Sequence, residues 1–315
     1  MKPTISICCL IFNHEKYLNK SIDSFLSQKG SFNLEIVIFD DCSTDKSRAL
    51  IGDYVKKFPE VFKLVYPERN IYSEGKTAYY NLISAATGEF IACCEGDDYW
   101  IDDFKLQKQL DYLIEFKDVN LVFHPALSLH TNNVIQDDEY GFYGEDITTK
   151  SFEDILRCSG GFMPMASIFT RKYLYLEWFN KYPDFFSESM WHSTIQILGA
   201  YKSKAVYLPD RMCVYRTMHE GSWSSSITQS SDALITDYKS FIKRNRKLNE
   251  IMNFEYKVIY DQVLIKRTEK VIRNRRLTNQ QKNELIKLAN YKFNWVTKIK
   301  FIFFKIISSV IRYVK

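Results

Sequence analysis

The sequence predicts an α/β fold: a mostly parallel central sheet with helices on both faces, plus a C-terminal helical extension. Three observations predict it. Short apolar runs alternate with helical patterns through the first hundred residues, as strand, crossover helix and strand do in parallel sheets. Two acidic clusters, Asp40-Asp41 and Glu95 to Asp98, directly follow apolar runs, and in such sheets ligands bind beyond the carboxyl ends of the strands. From residue 231 onward the pattern is helical, polar and Lys/Arg-rich, with no Pro or Gly after Gly221.

The elements follow in order. Residues 5–12 read as a buried strand, and 15–27 as a helix with Leu18, Ile22, Phe25 and Leu26 on one face. Residues 34–39 form the next strand, and Ser43 or Thr44 can cap a helix over 46–58. A third strand spans 62–66, a helix 77–86 closes at Gly88, and a fourth strand, 90–94, runs into Glu95-Gly96-Asp97-Asp98. A helix at 103–116 and a strand at 120–129 follow, then a polar, loop-like stretch over 131–150. A strand at 166–170, a helix at 189–200 and short β-like runs at 205–208 and 212–215 lead into the Gly/Ser-rich residues 220–226. This organisation predicts an α/β domain over 1–226, a basic helical extension over 227–292 and an amphipathic basic helix over 293–315.

The 315 residues are 46 % hydrophobic and 26 % charged, which excludes a disordered or multi-span membrane chain. The net charge of +5 is unevenly placed. Residues 231–315 hold 20 Lys/Arg against 7 Asp/Glu, or +13, while residues 1–230 hold 23 against 31, or −8. An acidic body joined to a basic tail points to a polyanionic or anionic-membrane partner. The seven cysteines contain no CxxC pair, and Cys8, Cys9, Cys93 and Cys94 lie inside apolar runs, so free thiols in a reducing compartment are expected. Met1-Lys2-Pro3 runs straight into a strand-like segment, so no secretion signal is expected.

Glu95 and Asp97, two residues apart after a strand, are hard oxygen ligands suited to Mg²⁺ or Mn²⁺, which take one or two carboxylates together with substrate phosphate oxygens. A cation held there would neutralise a leaving diphosphate. Asp40-Asp41 alone reads equally as turn chemistry.

Four segments, TISICCLIFN (4–13), EIVIFDDCSTDKS (35–47), ATGEFIACCEGDDYW (86–100) and RMCVYRTMHEGSWS (211–224), together resemble a family 2 glycosyltransferase of the GT-A fold, similar to bacterial surface-polysaccharide enzymes. The resemblance covers about residues 3–226. It implies a Rossmann-like GT-A domain that moves a sugar from a nucleotide diphosphate donor, most commonly UDP, to an acceptor hydroxyl with inversion, usually with a divalent metal. It further implies that Phe12, Asn13, Glu15 and Asp41 hold the base and ribose and that Asp40 shapes that pocket. Glu95-Gly96-Asp97 stands at the Asp-x-Asp motif with Glu in its first position, so Glu95 and Asp97 become metal ligands. Asp98 and Trp100 contact the donor sugar or brace the loop, and His219 contacts the metal or diphosphate. Arg216 pairs with phosphate or with a carboxylate of the acidic loop, and Trp223 stacks on a sugar or lies in the core.

The family's acceptor base is an Asp or Glu at the start of a helix, here within FFSESMWHSTIQILGA (185–200). Ungapped counting puts His192 at that position with Glu188 four residues earlier. On one helix the two share a face, so three readings stand. Glu188 is the base, favoured by a position near the helix N-terminus; His192 is the base, with an ordinary pKa of about 6.5; or Glu188 orients His192.

From Trp295 a helical wheel gathers Trp295, Ile299, Ile302, Phe303, Ile306, Val310 and Tyr313 on one side and Lys298, Lys305, Arg312 and Lys315 on the other, with Lys300 and Phe301 misplaced. Lysine interrupts the stretch too often for a spanning helix. It suits an interfacial helix on an anionic membrane, which gives a peripheral cytoplasmic location on the inner face of the membrane and a lipid-linked saccharide acceptor. A helix packed on this protein or on a partner subunit is the competing reading. A nucleic-acid module would suit the +13 tail but leaves the four ordered motifs unexplained, so no nucleic acid is expected. A sugar-nucleotide hydrolase or a non-catalytic binder on the same fold is the alternative function.

Overall fold

The computed structural model describes residues 2–130, 134–158, 160–217 and 230–290. The chain divides into two compact units, Met1–Ser225 and Ser226–Lys315. His219, Trp223 and the amphipathic segment 293–315 lie outside the described residues.

The first unit is built as an α/β layer structure. Its strands are β1 (Thr4–Ile11), β2 (Asn33–Asp40), β3 (Phe62–Val65), β4 (Phe90–Cys93), β5 (Tyr99–Trp100), β6 (Val119–Phe123), β7 (Ala126–Leu129), β8 (Ile135–Tyr140), β9 (Thr148–Ser151), β10 (Phe169–Arg171), β11 (Lys204–Tyr207) and β12 (Cys213–Arg216). Its helices are α1 (Leu18–Leu26), α2 (Ser47–Lys57), α3 (Tyr79–Ala85), α4 (Lys105–Glu115), α5 (Phe152–Cys158), α6 (Tyr173–Lys181), α7 (Pro183–Ser189) and α8 (His192–Ala200). An eight-stranded sheet runs β3-β2-β1-β4-β10-β6-β11-β9, and a four-stranded sheet runs β5-β12-β7-β8. β3, β2, β1 and β4 pair in parallel, while β10 enters antiparallel between β4 and β6.

The parallel half forms where the sequence is most uniformly apolar. Ile5, Ile7, Cys9 and Ile11 of β1 pack with Ile36 and Ile38 of β2, Ala92 of β4, and Leu18, Ile22 and Phe25 of α1 in one core. Burying both faces of a strand selects such runs. Cys8, Cys9, Cys93 and Cys94 are fully buried and all seven thiols are free, and burial raises the pKa of these four.

Three expectations require correction. The strand expected over 120–129 is two strands in different sheets, broken at His124-Pro125, because proline lacks an N–H and restricts the residue before it. The stretch 131–150, expected as loop, contains β8 and β9; both are edge strands and therefore tolerate a polar sequence. The helix expected from residue 189 begins at His192, and a separate α7 precedes it.

The second unit carries α9 (Ser231–Ile251), α10 (Lys257–Ile272) and α11 (Asn279–Leu288). Ser230 caps α9, and Thr278 with Gln281 forms a capping box on α11. Tyr238 of α9 hydrogen-bonds Thr268 of α10, and Arg267 pairs with Asp237. Among the described residues no helix is long and apolar enough to cross a membrane.

Candidate active site

The carboxyl ends of β1, β2 and β4 lie side by side, since the parallel register sets Ile11 against Asp40 and Cys8 against Cys93. The turn after β4 is fastened from several sides. Gly96 N–H donates to Leu10 O at 3.0 Å, and Asp98 N–H donates to Glu95 O at 3.1 Å. Ser21 of α1 lies beneath it, its Oγ 2.9 Å from Gly96 O and also against Asp98 O. The Asp98 carboxylate is buried and accepts the Arg216 backbone N–H at 2.8 Å, so β12 closes the turn from the other side. Burial, reinforced by the neighbouring Asp97 charge, pushes the Asp98 carboxyl well above its ordinary pKa.

Arg216 also donates from Nε to Asp97 O at 3.1 Å and stacks its guanidinium 4.2 Å from the Tyr17 ring. Its guanidinium therefore grips the backbone of the acidic turn, while its own backbone N–H holds the Asp98 carboxylate. Trp100 is 3 % exposed, packs on Phe25 at 4.9 Å and donates its indole N–H to Ala166 O at 2.9 Å. Of its two expected roles the surroundings leave loop bracing, because the ring is enclosed in the core and its one donor is engaged.

Glu95 turns the other way. Its Oε1 lies 3.2 Å from His192 Nε2 and 3.3 Å from the Tyr79 hydroxyl, and the Tyr79 and His192 rings meet edge to face at 5.8 Å. His192 is the first residue of α8 and Trp191 is its N-cap. Glu188 is exposed in the last turn of α7. Glu188 and His192 therefore lie on separate helices, with the break at Met190 and Trp191 removing the shared face, and Glu188 sits at the C-terminal end of α7 rather than near a helix N-terminus, so the dipole argument for it does not hold.

The loops after β1 and β2 are knitted together. Asn13, at φ 57°, accepts the Thr44 N–H on Oδ1 at 2.8 Å, and Glu15 accepts the Lys46 N–H at 2.8 Å. Buried Asp40 takes the Ser43 N–H at 2.9 Å and pairs with Arg48. The Asp41 carboxylate accepts the N–H groups of Ile71 at 2.7 Å and Tyr72 at 3.0 Å, so it moulds the segment around the short 3₁₀ turn Tyr72–Glu74. Burial raises its pKa while those N–H groups pull it back. Phe12 is exposed, just beyond the end of β1.

Sequence reasoning passed over Tyr79, Ser21 and His14. His14 lies between Asn13 and Glu15 and brings Nε2 to 4.0 Å from Asp97 Oδ2. A histidine in the loop after the first strand, opposite an acidic turn, is the signal that could have found it.

Among the described residues no three His, Cys, Asp or Glu side chains form a ready metal cage. Glu95 and Asp97 present two carboxylates on one turn, and this fits a hard cation whose remaining ligands come from substrate phosphate.

The family described as Glycosyl transferase family 2 matches residues 6–174. An uncharacterized protein of Mycobacterium tuberculosis is 29 % identical over 229 residues, covering 71 % of this chain and 62 % of the relative. The chain thus spans less than two thirds of the length of such relatives. A Bacillus subtilis glycosyltransferase whose name assigns it to teichuronic acid biosynthesis is 34 % identical over 114 residues, or 36 % of this chain and 43 % of that one. The crystal structure of S. aureus TarS 1-349 in complex with UDP superposes with a TM-score of 0.61 at 17 % identity, covering 91 % of this chain and 79 % of that chain, so the two share the fold.

Proposed function

The chain belongs to glycosyl transferase family 2, and we propose that it transfers a hexose from a nucleotide diphosphate sugar, with UDP as the nucleotide, to an acceptor hydroxyl with inversion. The observation that carries the reading is the contact between His192 and Glu95 at the end of β4, which sets an imidazole beside the carboxylates suited to a diphosphate-bound cation. The acceptor oxygen attacks the anomeric carbon as the bond from that carbon to the diphosphate oxygen breaks. The electron pair leaves on the diphosphate and the hydroxyl proton goes to His192.

Glu95 beside Nε2 orients the His192 ring and stabilises the imidazolium that forms when the ring takes the proton. Tyr79 holds the same carboxylate and limits its rotation. Asn13, Glu15, Asp40 and Asp41 shape the nucleotide pocket through the loops they tie, and Phe12 offers a face to the base. Glu95 and Asp97, with His219 as the third residue that the family resemblance implies, would hold Mn²⁺ or Mg²⁺, which would neutralise charge on the departing diphosphate.

The acceptor we propose is a lipid-linked saccharide of cell-surface polysaccharide synthesis, reached from the cytoplasmic membrane face. The amphipathic pattern of 293–315 and the teichuronic acid relative support that choice. The test is a thermal-shift screen of nucleotide sugars with and without Mn²⁺, followed by sugar transfer to membrane extracts. A shift by a UDP-sugar that grows with Mn²⁺ is expected. Full-rate release of free sugar without acceptor would make the chain a hydrolase, and silence toward every nucleotide sugar would sink the enzyme reading.

A further inference from the structure

We infer that His14 is a positioning residue for Asp97, and that through it the loop after β1 sets the affinity of the acidic turn for a divalent cation. The inference rests on the transferase reading and adds a residue to it. His14 is fixed by its own backbone: its N–H donates to Ser47 Oγ at 3.0 Å, and its carbonyl accepts Tyr17 N–H at 2.9 Å and Leu18 N–H at 3.0 Å at the entrance to α1. The ring lies over Gly96. A Cβ there would come within 2.8 Å of His14 Nδ1 and 2.9 Å of Ile11 Cγ1, so the middle residue of the acidic turn is glycine because the imidazole occupies that space.

The orientation selects a tautomer. Nδ1 is buried without a hydrogen-bond partner. Leaving a buried lone pair unmet costs less than leaving a buried N–H unmet, so the proton belongs on Nε2. That N–H faces Asp97 Oδ2 across 4.0 Å, a gap that one bridging water or a small side-chain rotation closes. A donor held in this way limits the rotation of Asp97, as outer partners do for metal-binding carboxylates generally.

The test uses the full chain with saturating UDP and follows free Mn²⁺ by electron paramagnetic resonance. His14→Leu is expected to weaken Mn²⁺ binding by about 10-fold, while His14→Gln, whose amide N–H has similar reach, stays within about 3-fold of the natural chain. UDP binding without metal should be the same in all three, which a merely structural loss would not allow. Gly96→Ala, which displaces the ring with His14 still present, should reproduce the weakening and serves if the leucine variant fails to fold. Equal Mn²⁺ affinity in His14→Leu and the natural chain, or equal weakening by Leu and Gln, overturns the role of His14. A natural chain that binds UDP but no Mn²⁺ overturns the metal reading and this inference with it.

Discussion

His192 Nε2 lies 3.2 Å from Glu95 Oε1, joining the first residue of α8 to the acidic turn after β4 across 97 residues of sequence. The pair makes the assignment of the base testable. His192→Gln should lower kcat by about 10²- to 10⁴-fold, the usual contribution of general base catalysis. Glu188→Gln, on a separate helix, should stay within about 3-fold. Turnover measured with donor and metal saturating separates the two, and a large loss in Glu188→Gln with an active His192→Gln would return the role to Glu188.

Ser21 acts on the same turn from below. Its hydroxyl is buried against the carbonyls of Gly96 and Asp98, and Ser21→Ala leaves both without that donor. An unmet buried polar group costs about 1–3 kcal/mol. The variant should lose that much stability in urea titration and bind Mn²⁺ with UDP less tightly, although Ser21 itself touches neither. Unchanged stability would mean that water replaces the hydroxyl.

These residues show where the sequence was readable. β1, β2 and β4 were legible because both of their faces are buried and nearly every position is apolar, and Asp40, Asp41, Glu95 and Asp97 were legible because carboxylates at strand ends stand out. β8 and β9 were not, since an edge strand needs no apolar alternation. The break between α7 and α8 carries neither proline nor glycine; it is held by a tertiary contact, Thr77 Oγ1 donating to Met190 O at 2.7 Å, and a local contact, Thr194 Oγ1 donating to Ser189 O at 2.8 Å. Ser21 serves the turn from a helix 75 residues away and Tyr79 from the start of the helix before β4, and no local pattern marks such partners.

Asp41 tests the nucleotide side. Its carboxylate holds the N–H groups of Ile71 and Tyr72, and Tyr72 in turn meets Trp191 at 6.1 Å beside His192. Asp41→Ala should release residues 69–75, speed proteolytic cleavage there, and raise the donor KM more than it lowers kcat. Cleavage unchanged from the natural chain would show that the loop is held by other contacts.

The proposed membrane contact has its own measurement. The 315-residue chain should float with anionic vesicles at low salt, and a chain ending at Lys292 should not, because the removed residues 293–315 hold the apolar arc and five Lys/Arg. Neutral vesicles should capture less, given about 1 kcal/mol per basic residue at an anionic surface. Equal flotation of the two chains would remove the anchor and leave the packed-helix reading.

His124 gives a pH dependence whose sign is fixed by burial. It is wholly buried at the corner between β6 and β7, with Nδ1 2.9 Å from Pro125 O and Nε2 without a hydrogen-bond partner. Burial, with the Lys105 cation adding to it, holds its pKa well below 6.5. Below pH 6.5 the unfolded chain therefore takes up a proton that the folded chain refuses, and stability contributed by the neutral ring is lost as pH falls. The limiting slope is about 1.4 kcal/mol per pH unit. Urea titrations at pH 7.5, 6.0 and 5.0 should show the natural chain losing stability more steeply than His124→Gln, which cannot titrate. Parallel curves would mean that the folded ring takes up its proton over the same pH range as the unfolded one, and the corner would then need a buried acceptor for Nε2.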